Sequence, residues 1–154
     1  MAATLVLGYD GSDCSKAALQ RTAELANQMK DAAVVVVYAY EFTMGYVPTG
    51  MADSPLLMSA EFDEHTDLVR GYADEQVKQA AEELGKAGVR VRTQVVEGRP
   101  VEALLDVAKE AGATLIVVGS HGEGAVSAAF MGSTPLKLLH HSELPVLVVP
   151  RHKS

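Results

Sequence analysis

The sequence alternates short, nearly continuous apolar runs with longer segments whose apolar residues recur at helical spacing. The apolar runs are rich in Val and Leu, and unbroken runs of this kind are typical of strands covered on both faces of a sheet. They occupy residues 5–9, 33–40, 89–96, 114–118 and 145–149. Because a helical segment separates each strand from the next, the pattern predicts one largely parallel sheet with helices on both faces.

The helical segments cover residues 14–29, about 60–86, 101–111 and 135–141. Pro100 stands where the third helix begins. Proline suits this position, because the backbone N–H that it lacks would have no partner within the helix. Strand 89–96 carries Arg and Thr among its apolar residues, which indicates a place near the edge of the sheet. Residues 42–60 contain Gly and Pro turns and have no assigned role. We find no linker and no internal repeat, so we expect one α/β domain over residues 1–154.

Composition and charge exclude several classes of protein. The chain has 13 Lys and Arg against 20 Asp and Glu, a net charge of −7, whereas a general nucleic-acid binder needs a basic surface. Cys14 is the only cysteine, which excludes a disulfide framework and a thiolate zinc site. No apolar run approaches the roughly 18 residues that span a membrane, and residues 1–10 lack the basic start of a signal peptide. We therefore expect a cytoplasmic protein without a membrane or nucleic-acid partner.

Two of the expected strands end in residues that suit a ligand. The first strand leads into the turn at 8–12 (Gly-Tyr-Asp-Gly-Ser), and the fourth leads into a glycine-bearing loop at 119–132. In doubly wound sheets, ligands bind beyond the carboxyl ends of the strands. Gly132 and Ser133 close the loop just before a helix, whose free amides attract an anion. These features predict a phosphate site, although neither the P-loop motif nor the Gly-x-Gly-x-x-Gly motif is present.

The glycine loop fits a Gly-x2-Gly-x9-Gly-Ser/Thr pattern without a gap. The residues that match are Gly119, Gly122, Gly132 and Ser133. The turn at 97–100 (Glu-Gly-Arg-Pro) precedes this pattern along the chain, and the final apolar segment at 144–150 follows it. By these motifs the whole chain resembles the universal stress protein family and, within it, the ATP-binding branch.

The resemblance implies a Rossmann-like doubly wound domain with strand order 3-2-1-4-5, in which the first and fourth strands lie side by side. It also implies a ligand, ATP or another adenine nucleotide, with Mg²⁺ nearby and no assigned metal ligands. Asp10 would lie beside the adenosine, and Ala39 would contact adenine through its backbone. Gly119 and Gly122 would approach the ribose and phosphates, and residues 132–134 would hold the phosphate tail. The complete set of expected binding residues is Gly8, Tyr9, Asp10, Ala39, Gly119, Ser120, Gly122, Gly132, Ser133 and Thr134.

Three positions admit a second interpretation. Asp10 also suits an ordinary turn or helix cap, and His121 suits a surface loop as well as a general base. Pro135 stands where the family pattern has a hydroxyl residue, and it removes one backbone N–H from the phosphate end. Because proline also starts helices, the number of phosphates that the site holds stays open.

The motifs bind a phosphate but supply no evident catalytic base and no dedicated lysine. The function expected from the resemblance is therefore a stress-response regulatory or sensing module that binds ATP. The alternative is an enzyme that uses the same site for slow ATP hydrolysis or for self-phosphorylation at Ser133 or Thr134. The apolar last strand, residues 145–149, is expected at an edge of the sheet, and such an edge pairs readily with another chain. As in the family that the chain resembles, we expect a homodimer through this strand.

Overall fold

The computed structural model describes residues 2–41, 55–121 and 131–151, with the backbone alone over residues 55–65. Its strands are β1 (Thr4–Gly8), β2 (Ala33–Tyr40), β3 (Arg90–Glu97), β4 (Leu115–Gly119) and β5 (Val146–Val149). Its helices are α1 (Asp13–Gln28), α2 (Pro55–Lys86), α3 (Pro100–Ala111) and α4 (Ser133–His141). Every strand that the sequence predicts is therefore present, and no bound differs by more than one residue from the expected one.

The five strands form one sheet in the order β3-β2-β1-β4-β5, and every pair is parallel, which confirms the predicted topology. β1 lies at the centre, where Leu5 is aligned with Val34 of β2 and with Leu115 of β4. The chain first adds strands on the β2 side of β1 and then crosses to the β4 side. The strand order thus reverses between β1 and β4, where doubly wound sheets hold their ligands. β3 and β5 form the two edges, as the sequence predicted.

Each face of the sheet is covered by its own pair of helices, because alternate strand residues point to opposite faces. On one face, strand residues that include Leu5 and Leu7 pack against α1 and α2. On the other face, Val6 and its neighbours pack against α3 and α4. Leu5, Val6 and Leu7 are all fully buried, which accounts for the unbroken apolar run in the sequence.

Two helices begin earlier than the sequence predicted. α2 begins at Pro55, about five residues before the expected start, and α4 begins at Ser133, two residues before it. Proline fits any position in the first turn of a helix, because the N–H groups there have no partner within the helix. Pro55 is the first residue of α2, whereas Pro135 is the third residue of α4. Of the predicted loops, residues 42–54 and 122–130 lie outside the described part of the chain.

α2 has 32 residues and carries charged side chains on its outer face. It packs against the sheet through Val77, Ala80 and Leu84, which recur every three or four residues as an amphipathic helix requires. Within the described ranges, no helix combines the length and the apolar character that crossing a membrane requires.

β4 and the first turn of α1 approach so closely that only glycine fits at the end of β4. A Cβ placed on Gly119 would lie 2.7 Å from the carbonyl carbon of Cys14 and 2.8 Å from its Cβ. Because the backbone of Cys14 cannot move aside as a flexible side chain would, a larger residue would push α1 away from the sheet. Gly119 therefore has a packing role that does not depend on a ligand.

We predict that Gly119→Ala lowers the free energy of unfolding by about 1–3 kcal/mol, the usual cost of overpacking a tight contact. For a chain of this size, the melting temperature should fall by roughly 2–10 °C. Differential scanning calorimetry of the purified variant measures both quantities.

Gly85→Ala in α2 is the matched control, because an added Cβ there meets nothing within 4 Å. Alanine in place of a helical glycine should stabilise the protein by about 0.5–1 kcal/mol. If Gly119→Ala melted at the parent temperature or above it, the close contact between β4 and α1 would be wrong.

Candidate functional site

A cavity of about 490 Å³ opens at the carboxyl ends of β1, β2 and β4. Its lining comes from the ends of these strands and from the beginnings of three helices. The lining residues are Gly8, Tyr9, Asp10, Ser15, Val37, Tyr38, Ala39, Pro100, Leu104, Val118, Gly119, His121, Gly132, Ser133, Thr134 and Pro135. The cavity therefore lies where the strand order reverses, at the place that the topology favours for a ligand.

Eight of the ten residues expected to bind a ligand line this one cavity. They are Gly8, Tyr9, Asp10, Ala39, Gly119, Gly132, Ser133 and Thr134. Ser120 is not a lining residue, because its buried side chain lies near α1, with Oγ 3.7 Å from Sγ of Cys14. Gly122 lies outside the described residues. Four separate stretches of the sequence (residues 8–10, 39, 119 and 132–134) thus meet at one place.

The beginnings of three helices border the cavity, through Ser15 of α1, Pro100 of α3 and Ser133 of α4. In a sheet of parallel strands with helical crossovers, each helix begins near the carboxyl end of the strand before it. A helix N-terminus carries unpaired N–H groups and a partial positive charge of about half a unit. The backbone therefore makes this cavity favourable for an anion.

Asp10 has a structural role and also faces the cavity. Its Oδ1 accepts a hydrogen bond from the Ser12 N–H at 2.9 Å, which fixes the turn between β1 and α1. Ser12 in turn caps α1, since its Oγ accepts a hydrogen bond from the Ser15 N–H at 3.3 Å. The sequence left Asp10 between a turn residue and a residue that binds a ligand; the structure shows the turn role, and Asp10 also lines the cavity.

Tyr9 belongs to the core as well as to the cavity. Its side chain is 6% exposed and packs on the face that α1 and α2 cover. Burial raises the pKa of its phenol above the usual 10.0, and the charges of Glu83 and Asp10 raise it further. The phenol therefore stays protonated at neutral pH, so it is a hydrogen-bond donor and not a base.

Ser120 ties together β4, β5 and the start of α4. Its N–H donates to the carbonyl of Val149 at 2.9 Å, and its carbonyl accepts from the Gly132 N–H at 2.7 Å. Its hydroxyl lies 2.9 Å from Nδ1 of His121 and orients the imidazole. Nε2 of His121 is buried and has no hydrogen-bond partner in the part of the chain that the structure describes. His121, which the sequence left between a surface loop residue and a general base, thus lines the cavity with one ring nitrogen unsatisfied.

The first turn of α4 presents a defined set of main-chain groups. Gly132 is the N-cap, and its own N–H donates to Ser120. Ser133 and Thr134 are the first two helical residues, and their N–H groups have no partner among the described residues. Pro135, the third, has no N–H. Pro135 is therefore a helix-starting proline and also removes one donor from this end of the cavity, so its two interpretations are compatible.

Several residues of the cavity carry no functional signal in the sequence. They are Ser15, Val37, Tyr38, Leu104 and Val118. The apolar members have the spacing of core residues, and spacing alone does not show that an element ends beside a cavity. Pro100 also lines the cavity and does carry a signal, because it closes the turn at 97–100 that supports the family resemblance.

The family model and the similar sequences point to the same family. The model described as "Universal stress protein family" matches residues 1–150 of the chain. A Thermus aquaticus protein named "Universal stress protein in QAH/OAS sulfhydrylase 3′region" is 35% identical over 147 residues, which cover 95% of this chain and 97% of the relative. A universal stress protein of Mycobacterium tuberculosis is 31% identical over 147 residues, which cover 95% of this chain and 94% of the relative.

Solved structures agree with the sequence comparison. Universal stress protein UspA from Lactobacillus plantarum has a TM-score of 0.79 at 20% identity, over 96% of this chain and 97% of that one. A universal stress protein in complex with cAMP has a TM-score of 0.65 at 27% identity, over 99% and 98% of the two chains. An Arabidopsis thaliana protein of the same family, with AMP bound, has a TM-score of 0.67 at 18% identity, over 97% and 92%. Fold, sequence and family model therefore agree that the chain belongs to the universal stress protein family.

Proposed function

We propose that this protein binds an adenine nucleotide, ATP or a related nucleotide, in the cavity at the ends of β1, β2 and β4. One observation carries the proposal: residues from distant parts of the chain that match the family's ligand motif line a single cavity. Its volume of about 490 Å³ falls within the range typical of small-molecule sites. Membership of the universal stress protein family supports the same conclusion.

The side of the cavity formed by β2 and α3 suits a flat purine. Val37, Pro100 and Leu104 present apolar surface there. Such surface favours burial of an aromatic base, because transfer of apolar area out of water is favourable. Ala39 lies on the same side, and its small side chain leaves room for the base to approach the end of β2.

The side formed by β4 and α4 suits a phosphate. Ser133 and Thr134 combine N–H groups that have no partner among the described residues with hydroxyls at a helix N-terminus, and this arrangement attracts anions. The two structurally similar proteins described above with cAMP and with AMP hold ligands that join adenine to a phosphate. An adenine nucleotide matches both sides of the cavity at once.

Asp10 is the residue that we propose for Mg²⁺ when the nucleotide carries a polyphosphate. Its carboxylate lines the cavity. The residues described by the structure include no group of three or more His, Cys, Asp or Glu able to hold a metal by themselves. Mg²⁺ in nucleotide sites is commonly held by one or two carboxylates together with phosphate oxygens and water, so one carboxylate fits this role.

We propose a regulatory or sensing role in the stress response, in the cytoplasm. Rapid phosphoryl transfer relies on Lys or Arg against the phosphates, and the described residues that line the cavity include neither. Ser133 and Thr134 leave one enzymatic alternative, because their hydroxyls border the phosphate side and offer acceptors for self-phosphorylation. Slow hydrolysis of ATP at the same site belongs to this alternative.

We also propose that two copies of the chain pair through β5. This strand lies at an edge of the sheet, and all four of its residues are apolar. Within β5, Val149 is buried, whereas Val146, Leu147 and Val148 are half-buried. An apolar edge strand offers unpaired backbone groups and apolar side chains to a second strand. The partner that matches it best is the same strand of another copy.

We predict that denaturing the freshly purified protein releases an adenine nucleotide that mass spectrometry identifies. Nucleotide added to the stripped protein should also raise its melting temperature, because a ligand that binds only the folded state stabilises that state. At a concentration of 100 times the Kd, the stabilisation is about 2.7 kcal/mol, or roughly 5–10 °C for a chain of this size.

Gly132→Val is the variant expected to lose binding, since a Cβ there would lie 3.3 Å from the Ser120 carbonyl oxygen, beside the cavity. Gly85→Val, where an added Cβ meets nothing within 4 Å, controls for the substitution itself. If the parent releases no nucleotide and ATP, ADP and AMP leave its melting temperature unchanged, the proposal of nucleotide binding is wrong. Release of inorganic phosphate from ATP by the parent would favour the enzymatic alternative.

We predict that Val148→Lys converts a dimer into a monomer, because it places a charge on the edge that we expect to be covered. Light scattering after size exclusion measures the mass, and far-UV circular dichroism checks that the variant is folded. Thr93→Lys, on the exposed side of the opposite edge strand, should leave the mass unchanged. A monomeric parent, or a folded Val148→Lys variant that is still a dimer, would argue against this interface.

A further inference from the structure

We infer that Ser120 and Cys14 hold the ring of His121 in one neutral tautomer, with the proton on Nε2 and the lone pair on Nδ1. His121 lines the cavity, so this tautomer makes the ring a hydrogen-bond donor to a ligand and not a base. The tautomer is a property of the protein alone. Only the contact between the ring and a nucleotide rests on the proposed function.

Three side chains form a row from the first turn of α1 to the cavity. Sγ of Cys14 lies 3.7 Å from Oγ of Ser120, and the same oxygen lies 2.9 Å from Nδ1 of His121. Cys14 and Ser120 are both buried, at 5% and 9% exposure, so water has little access to these contacts. The close approach of α1 to Gly119 holds the thiol against the end of β4. The polar atoms of the row must therefore satisfy one another.

One arrangement of protons gives every donor in the row an acceptor. The Cys14 S–H donates to Ser120 Oγ, and the Ser120 O–H donates to the lone pair of His121 Nδ1. The contact of 2.9 Å has the length of an ordinary hydrogen bond, and a neutral imidazole nitrogen without a proton is a good acceptor. Because Nδ1 then has no proton, the proton of the neutral ring is on Nε2.

The other arrangements leave a buried proton without an acceptor. If Nδ1–H donates to Oγ and the hydroxyl donates to sulfur, the thiol proton has none, since Ser120 Oγ is the one hydrogen-bond partner of Cys14 Sγ among the described residues. If the hydroxyl accepts from both neighbours, its own proton has no acceptor in the same part of the chain. A buried donor without an acceptor is costly, so both arrangements are disfavoured.

This tautomer decides between the roles that the sequence left open for His121. A general base needs a free lone pair, but Ser120 occupies the lone pair of Nδ1 and Nε2 carries the proton. His121 is therefore not available to activate water for the slow hydrolysis considered above. Towards a bound nucleotide, Nε2–H can only meet an acceptor atom. Ser120 is thus a positioning residue, because it acts on the ligand through His121.

Long-range ¹H–¹⁵N NMR of the nucleotide-free full-length protein tests the tautomer directly, because ring nitrogens with and without a proton give well-separated signals. The measurement is made at about pH 8.5, where an ordinary imidazole is neutral. His121→Gln identifies the signals of this ring among the five histidines of the chain. We expect a protonated Nε2 and an unprotonated Nδ1. A protonated Nδ1, equal amounts of both tautomers or a doubly protonated ring would overturn the inference.

Two serine variants test whether Ser120 selects the tautomer. Ser120→Ala should raise the population of the Nδ1–H form about fivefold, the factor that one typical hydrogen bond supplies. Ser142→Ala is the matched control, because Ser142 also adjoins a histidine in the sequence but its hydroxyl bonds to the backbone of Leu144. It should leave the His121 signals unchanged. An unchanged tautomer in folded Ser120→Ala would overturn the role of Ser120.

The infrared S–H stretching band tests the thiol without any variant. Cys14 is the only cysteine, so the band has one source. Because donation weakens the S–H bond, we expect a frequency below that of an alkanethiol in hydrocarbon solvent. A frequency equal to that of the free thiol would overturn the part of Cys14.

Addition of AMP separates this inference from the proposed function. Bound AMP should shift the Nε2–H signal and leave the proton on Nε2. If AMP changes no signal while Nε2 carries the proton, the tautomer stands and nucleotide binding is wrong. If AMP shifts backbone signals around the cavity but Nδ1 carries the proton, nucleotide binding stands and the inferred tautomer is wrong. If those backbone signals shift and the His121 ring does not respond, the contact between the ring and the nucleotide is wrong.

Discussion

The close contact between the end of β4 and the first turn of α1 determines where the parts of the cavity lie. Gly119 makes this contact possible, since any Cβ at that position would collide with the backbone of Cys14. The next residue, Ser120, is bonded on one side to Val149 of β5 and on the other to Gly132, which holds the start of α4 against β4. Displacement of β4 from α1 would therefore shift Ser120 and the start of α4 together. The side of the cavity formed by β4 and α4 therefore depends on packing and hydrogen bonds within the protein itself.

The positions of the strands could be predicted because strands buried on both faces leave an unbroken apolar run. Leu5, Val6 and Leu7 show this directly, since all three are fully buried although they point to alternate faces. Strand order could not be derived from periodicity and came from the family resemblance, because alternating strands and helices are compatible with several orders. The starts of α2 and α4 were predicted too late, because proline fits any position of a first helical turn and does not show which one: Pro55 is the first residue of α2, whereas Pro135 is the third residue of α4.

The cavity could be predicted only where its residues carry a pattern of their own. Glycine spacing is such a pattern, and Gly119 and Gly132 both lie at the cavity. Leu104 lines the cavity from α3, but its spacing in the sequence is that of a core residue. Whether such a residue borders a cavity depends on packing between elements that are distant in the sequence. Nε2 of His121 and the N–H of Ser133 have no partner among the residues that the structure describes, and this depends on which hydrogen bonds form across the fold. No local pattern encodes them.

Binding of an adenine nucleotide at the ends of β1, β2 and β4 is the central claim, and a ¹H–¹⁵N NMR titration of the nucleotide-free protein tests it most directly. The titration reports on each backbone N–H separately, so it shows where a nucleotide binds as well as whether it binds. With AMP, we expect the largest chemical-shift changes at Asp10, Ala39, Ser133 and Thr134, and little change over residues 80–86 of α2. Changes confined to α2, or no change at millimolar AMP and ATP, would contradict the claim.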